Sequence, residues 1–323
     1  MSKRKEIAVA ASLGVVLVLG VELFARYGLG LGDPPLSIPD TEIDYVFAPN
    51  QDCRRFGNRI VYNDCSMRCD FDVNGGNRPE ERIFVVGDSV VNGGVLTDHG
   101  DLATTILQER MDATRKNIQV CNVSAGSWGP GNYAAYFRKY RNLIGTNDTV
   151  IIEVNSHDLW EDDPKKTGGA NVGKDISLPD QKPWCATWDG FDRYFMPKMR
   201  KWLGKAQVNT KVDVPKWGND VENKSAKYNL ARLDEIYALP WARKYLLIHR
   251  SQLETHEDCE TPGETAFRKY ASGRGITIID LKLNDGDDFR DAIHQSESGQ
   301  RKMADAIADV ICCAAHFTAA MEK

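Results

Sequence analysis

Residues 82–89 read Arg82-Ile83-Phe84-Val85-Val86-Gly87-Asp88-Ser89, and this stretch decides how the chain is understood. A short apolar run rich in β-branched and aromatic residues, stopped by glycine and a polar turn, reads as a buried strand. A hydroxyl nucleophile follows directly at its end. Near the C-terminus stands Asp291-Ala292-Ile293-His294, ten residues after another apolar run closes at Leu281. A serine hydroxyl is a poor nucleophile near neutral pH. It becomes useful when a histidine takes its proton and a carboxylate holds that histidine in the right tautomer. Asp291 and His294 lie three residues apart, so one turn can put both side chains on one side. The expected catalytic set is therefore Ser89 as nucleophile, His294 as base and Asp291 as its orienter.

Outward from this stretch, strands are expected at 82–86, 118–123, 149–154, 241–248 and 276–281. Helical spacing lies between them at 101–116 and 132–144, in a helix around 225–239, and in a closing helix at 298–315. Strands alternating with helices imply a parallel sheet covered on both faces, a three-layer α/β/α arrangement of about five parallel strands. Such sheets bind ligands beyond the carboxyl ends of their strands. Ser89, Gly126 and His157 all follow strand ends, so one rim gathers them. The oxyanion that develops during acyl transfer needs donors. The backbone N–H groups of Ser89 and Gly126 are candidates, and a third donor is sought in Asn155-Ser156-His157-Asp158, from either His157 or Asn155. Residues 159–239 break the rhythm as an insertion carrying Trp160, Trp184, Trp188, Trp202 and Trp217. Those tryptophans either stack on sugar rings or form a lid, or else simply pack the insertion onto the sheet.

A net charge of −5 over 323 residues argues against a nucleic-acid surface. At the other end, Lys3-Arg4-Lys5 precedes an uncharged run from Ile7 to Val21. Glu22 interrupts, and Leu23-Phe24-Ala25 continues to Arg26. The stretch approaches the ~20 residues that a helix needs to cross a bilayer. Residues 1–27 are thus expected to be a cytoplasmic tip and a signal anchor, with the remainder outside the cytosol. A cleaved signal peptide is the rival reading, although no clean cleavage site follows the run. Residues 28–80 read as a linker to about Pro39 and then a small strand-containing lead-in, and 81–323 as the main domain. Outside the cytosol disulfides are permitted. Of eight cysteines, Cys53, Cys65 and Cys69 are close enough in sequence for a local bridge, Cys121 sits in an apolar strand, and Cys312-Cys313 falls in a helix. No Cys-x-x-Cys or paired-histidine spacing calls for a metal, and nothing calls for a nucleotide or redox cofactor. His99, His249, His256 and His316 lack a matching context and read as structural or surface residues.

Gly87-Asp88-Ser89 with Gly93, Asn122-Val123-Ser124-Ala125-Gly126, and Asp291-Ala292-Ile293-His294 together resemble the first, second and last blocks of the SGNH (GDSL) hydrolase superfamily. The resemblance covers about two thirds of the chain and leaves out the anchor and lead-in. It implies a flavodoxin-like sheet and ester cleavage through an acyl-Ser89 intermediate. The third block departs. The family usually has Gly-x-Asn-Asp there, with the Asn side chain in the oxyanion hole, whereas this chain has His157 in the Asn place and Asn155 in the Gly place. With the anchor and the Trp-rich insertion, the resemblance implies short-chain or acetyl esters on a small molecule or a cell-surface polysaccharide as substrate. Three alternatives remain open: acyl transfer to a glycan hydroxyl, a non-catalytic glycan-binding protein on the same fold, and a lipid-directed lipase or thioesterase, for which the polar insertion offers no long apolar groove.

Overall fold

Along the strand that carries 82–86, side chains alternate between two buried faces, so this strand must lie inside a covered sheet. The computed structural model describes residues 3–75, 78–114, 117–202 and 224–321. The chain opens with helix α1 (Lys3–Leu23), continued by a π-helical turn (Phe24–Gly28). Two antiparallel hairpins follow, β1 (Ser37–Asp40) with β2 (Asp44–Phe47) and β3 (Gln51–Arg55) with β4 (Asn58–Tyr62). Next come β5 (Glu81–Gly87), α2 (Ser89–Asn92), α3 (Ala103–Thr114), β6 (Ile118–Ser124), α4 (Pro130–Lys139) and β7 (Thr149–Val154). The insertion after β7 carries α5 (Ala186–Gly190) and α6 (Met196–Trp202). The chain then forms α7 (Lys224–Tyr237), β8 (Arg243–Ile248), α8 (Gln252–Glu257), α9 (Pro262–Ser272), β9 (Thr277–Asp280) and α10 (Glu297–Met321).

Strands β5 to β9 form one parallel sheet in the order β6-β5-β7-β8-β9. Counting these strands along the chain, the order is 2-1-3-4-5, the flavodoxin-like arrangement whose switch point lies beside the first strand. Phe84, Val86, Val150 and Ile152 pack toward α4, α7 and α9, while Ile83, Val85 and Ile151 pack toward α3 and α10. The three-layer α/β/α expectation therefore holds. The lead-in adds to the first of these cores through Ile43, Tyr45, Val46 and Met67, all buried.

Element edges shift where side chains override local pattern. The helix expected over 132–144 stops at Lys139, and a 3₁₀ turn (Arg141–Leu143) follows it. The strand expected from Trp241 starts at Arg243, because Trp241 itself packs into the core and bonds its indole N–H to the Ile236 carbonyl. The local bridge expected among Cys53, Cys65 and Cys69 is absent, and all three are free thiols. They face different neighbours: Cys53 Sγ the Ile60 carbonyl, Cys65 Sγ the Asn74 amide, and Cys69 Sγ the backbone N–H of Asn122. Cys121 is a buried core residue, as expected. Trp217 lies outside the described residues.

Candidate active site

The β5–α2 turn is built around two glycines. At Gly87 a Cβ would come within 2.4 Å of Val91 Cγ2 and 2.8 Å of Glu153 Oε2, so only hydrogen fits where the strand meets α2. Gly93 caps α2 with φ of 71° and returns its N–H to the Ser89 carbonyl at 2.9 Å. Between them Asp88 caps α2, its Oδ1 accepting from the Val90 N–H at 2.7 Å. Ser89 is thereby held at the first residue of α2, at the carboxyl edge of the sheet.

The loop before α10 brings the partners. His294 Nε2 lies 2.9 Å from Ser89 Oγ. Its Nδ1 lies 2.9 Å from both Asp291 Oδ1 and Oδ2. Asp291 Oδ1 also accepts from the backbone N–H groups of His294 and Ile293. Partial burial raises the Asp291 carboxyl, but the two amides and the imidazole outweigh it and hold the group below the usual carboxylate range. Beside Asp291, Arg290 anchors the loop to the serine side by donating to Thr97 Oγ1 and the Gly93 carbonyl.

A cavity of about 470 Å³ opens at Ser89 and His294. Its walls include Gly126 and Ser127, Tyr45, Phe47 and Tyr62 of the lead-in, and Leu178 of the insertion. Tyr45 donates its hydroxyl to the Gly126 carbonyl at 2.8 Å, fixing the loop that carries one expected oxyanion donor. Buried Arg68 donates to the carbonyls of Asn92, Gly94 and Thr97, and so ties the lead-in to the loop after α2. Tyr45 and Arg68 escape sequence reading because both act across long chain separations and belong to no local motif.

His157 and Asn155 are not among the residues lining this cavity. Asn155 is buried. Its Oδ1 accepts from the His157 N–H, and its amide lies 3.5 Å from Asp88 Oδ2. Asp158 Oδ2 accepts from the Asn155 N–H at 2.8 Å. The carboxylates of Asp88 and Asp158 and the ring of His157 come within 4.8 Å of one another, a grouping able to hold a cation. Each carboxylate is already committed to a backbone amide, which makes the group a hydrogen-bonded post under the serine loop. Burial pushes Asp88, Glu153 and Asp158 above the ordinary carboxylate range; the charge of Asp88 adds to the shift of Glu153 and Asp158, while the Val90 N–H and His294 pull Asp88 partly back. Burial also pushes His249 down to about 3, so the imidazole is uncharged near neutral pH and its 3.8 Å approach to Glu153 is no ion pair.

No family model matches the chain, and no curated protein does. Solved structures similar to it include an alpha/beta hydrolase enzyme from the metagenome of Lake Arreo, at 14% identity and TM-score 0.44 over 73% of this chain and 97% of that one. A G-D-S-L family lipolytic protein from Veillonella parvula is similar at 13% identity and TM-score 0.40, over 71% and 97%. A catalytic mutant of an acetylxylan esterase from Geobacillus stearothermophilus is similar at 13% and 0.43, over 72% and 94%.

Proposed function

We propose that this chain is a serine hydrolase of ester bonds, of SGNH type, working through an acyl-Ser89 intermediate. The observation that carries the proposal is the continuous hydrogen-bonded line Asp291–His294–Ser89, whose Ser89 and His294 line a cavity. His294 Nε2 takes the Ser89 proton as Oγ attacks the ester carbonyl. The developing oxyanion lies toward the backbone N–H groups of Ser89 and Gly126. His294 then protonates the departing alcohol, and water activated by the same imidazole releases the acid. Asp291 stays ionised throughout, consistent with its lowered carboxyl.

For the substrate, the cavity volume and its Tyr45, Phe47, Tyr62 and Leu178 walls suit a short acyl group on a larger polar alcohol, such as an acetylated sugar. Helix α1 is long and apolar enough to cross a membrane. Read as an anchor, it leaves the cavity outside the cytosol, where surface polysaccharide is available. The test is turnover of a short-chain aryl acetate by the full chain in detergent, beside Ser89→Ala. Turnover that falls to the buffer rate in the variant is the expected result. Equal rates above buffer in both proteins would remove Ser89 from the chemistry and refute the reading.

A further inference from the structure

Glu22, the one acid that interrupts the apolar run, is not left bare at the end of α1. Its Oε1 accepts from the Ala186 N–H at 2.8 Å, and its Oε2 accepts from the N–H and hydroxyl of Thr187 at 2.9 and 2.8 Å. It thereby caps α5 from a different part of the chain. Arg26, one turn on, donates to Glu22 and to the Trp184 carbonyl. The insertion is clasped to the base of α1 at one fixed height.

Below that clasp the contacts turn apolar. Leu17, Val18 and Val21 of α1 share an open hollow of about 670 Å³ with Trp184, Trp188 and Phe191. Trp184 is 89% exposed and Trp202 is 83% exposed, with Trp188 and Phe195 exposed as well. On its other side the same segment is polar and attached: Arg55 of β3 donates to Tyr194 and Asp189, and Arg193 pairs with Asp189. The segment is amphipathic, polar toward the lead-in and aromatic toward the last turns of the span.

We propose that residues 184–202 form an interfacial element whose aromatic side chains lie in the headgroup and upper acyl region of a phospholipid bilayer. This inference rests on the reading of α1 as a membrane span. What selects lipid as the occupant is depth. Trp184 and Trp188 stand beside Leu17–Val21, residues that the span itself places inside the apolar layer. Tryptophan prefers that boundary because its ring is apolar and its N–H is polar. The element also continues from residues that wall the cavity, so the bilayer would fix the height of Ser89.

The test reconstitutes the full chain into phosphatidylcholine vesicles brominated near the top of the acyl chain, and washes them with alkaline carbonate. Tryptophan emission is then compared with that in unbrominated vesicles. The wild type is expected to stay bound and to be quenched, and Trp184→Tyr/Trp188→Tyr/Trp202→Tyr is expected to lose most of that quenching. The single variants Trp184→Tyr and Trp202→Tyr should each lose a part, which guards against misfolding of the triple. Retained protein whose emission ignores bromine overturns the inference while leaving the anchor intact. Quenching that persists unchanged in the triple variant overturns it too, because the quenched rings would then be others. Protein stripped by carbonate refutes the anchor, and the inference with it. Ester hydrolysis by wild type in detergent is read separately and is untouched by any of these results.

Discussion

Glu153 illustrates how much of this site lies under the reacting atoms. It sits near the end of β7, fully buried, with Asp88 and Asp158 close by. Its folded-state value lies above its unfolded one. Below the ordinary carboxylate range it therefore costs no stability, and it costs progressively more as pH rises toward the folded value. Glu153→Gln removes that cost. The difference in stability between variant and wild type should widen with pH, by up to about 1.4 kcal/mol per unit. Thermal unfolding of both proteins at pH 5 and pH 8 checks it, and a gap that stays constant or narrows would show that Glu153 is ionised when folded. The acidic post was not legible in the sequence, because an isolated Glu in Val150-Ile151-Ile152-Glu153-Val154 reads as a strand residue like its neighbours. Ser89 is legible because it directly follows an apolar run, and Asp291 and His294 because they share a four-residue motif, so short-range pattern suffices.

The turn from β5 through α2 shows what one short element must supply. Four helical residues place Ser89, and Gly93 ends them in a left-handed conformation. A Cβ on Gly93 would meet Leu102 Cδ2 at 2.6 Å in addition to the strain of its φ. Gly93→Ala is expected to destabilise the fold by about 1–3 kcal/mol. It should also lower ester turnover in the fraction that remains folded, since Ser89 moves with the cap. Denaturant unfolding and turnover per folded molecule measure the two effects, and a variant as stable as wild type would show that the turn relaxes without strain. The strands of the sheet were visible in advance because continuous apolar runs have few other uses. Helices α8 and α9 were not, since Gln252–Glu257 is almost wholly polar. In α9 the inward residues Ala266, Phe267, Tyr270 and Ala271 are spaced among charges that read equally well as loop.

Taken whole, the molecule joins its lead-in to its sheet more firmly than composition indicates. Ile43, Tyr45, Val46 and Met67 are buried in the same core as Phe84 and Val86, and Arg68 reaches the loop after α2. Excising residues 29–80 with a short flexible join is therefore expected to leave a protein that does not fold stably. Circular dichroism and limited proteolysis would show this, and a cooperative, protease-resistant product would make the lead-in an accessory. Sequence reading placed this segment outside the family-like part because its hairpins are short and its contacts are distant along the chain. The clasp between Glu22 and the insertion has a further consequence for a chain anchored through α1. An enzyme on a slack tether samples a hemisphere of solution and takes whatever diffuses in. On the proposed reading of α1 as an anchor, the tether would be locked at its root by Glu22, and the serine would patrol a single plane parallel to the lipid surface. Its search would then be two-dimensional, limited to esters presented at that altitude, and an acylated polymer would have to be threaded past the site to be reached.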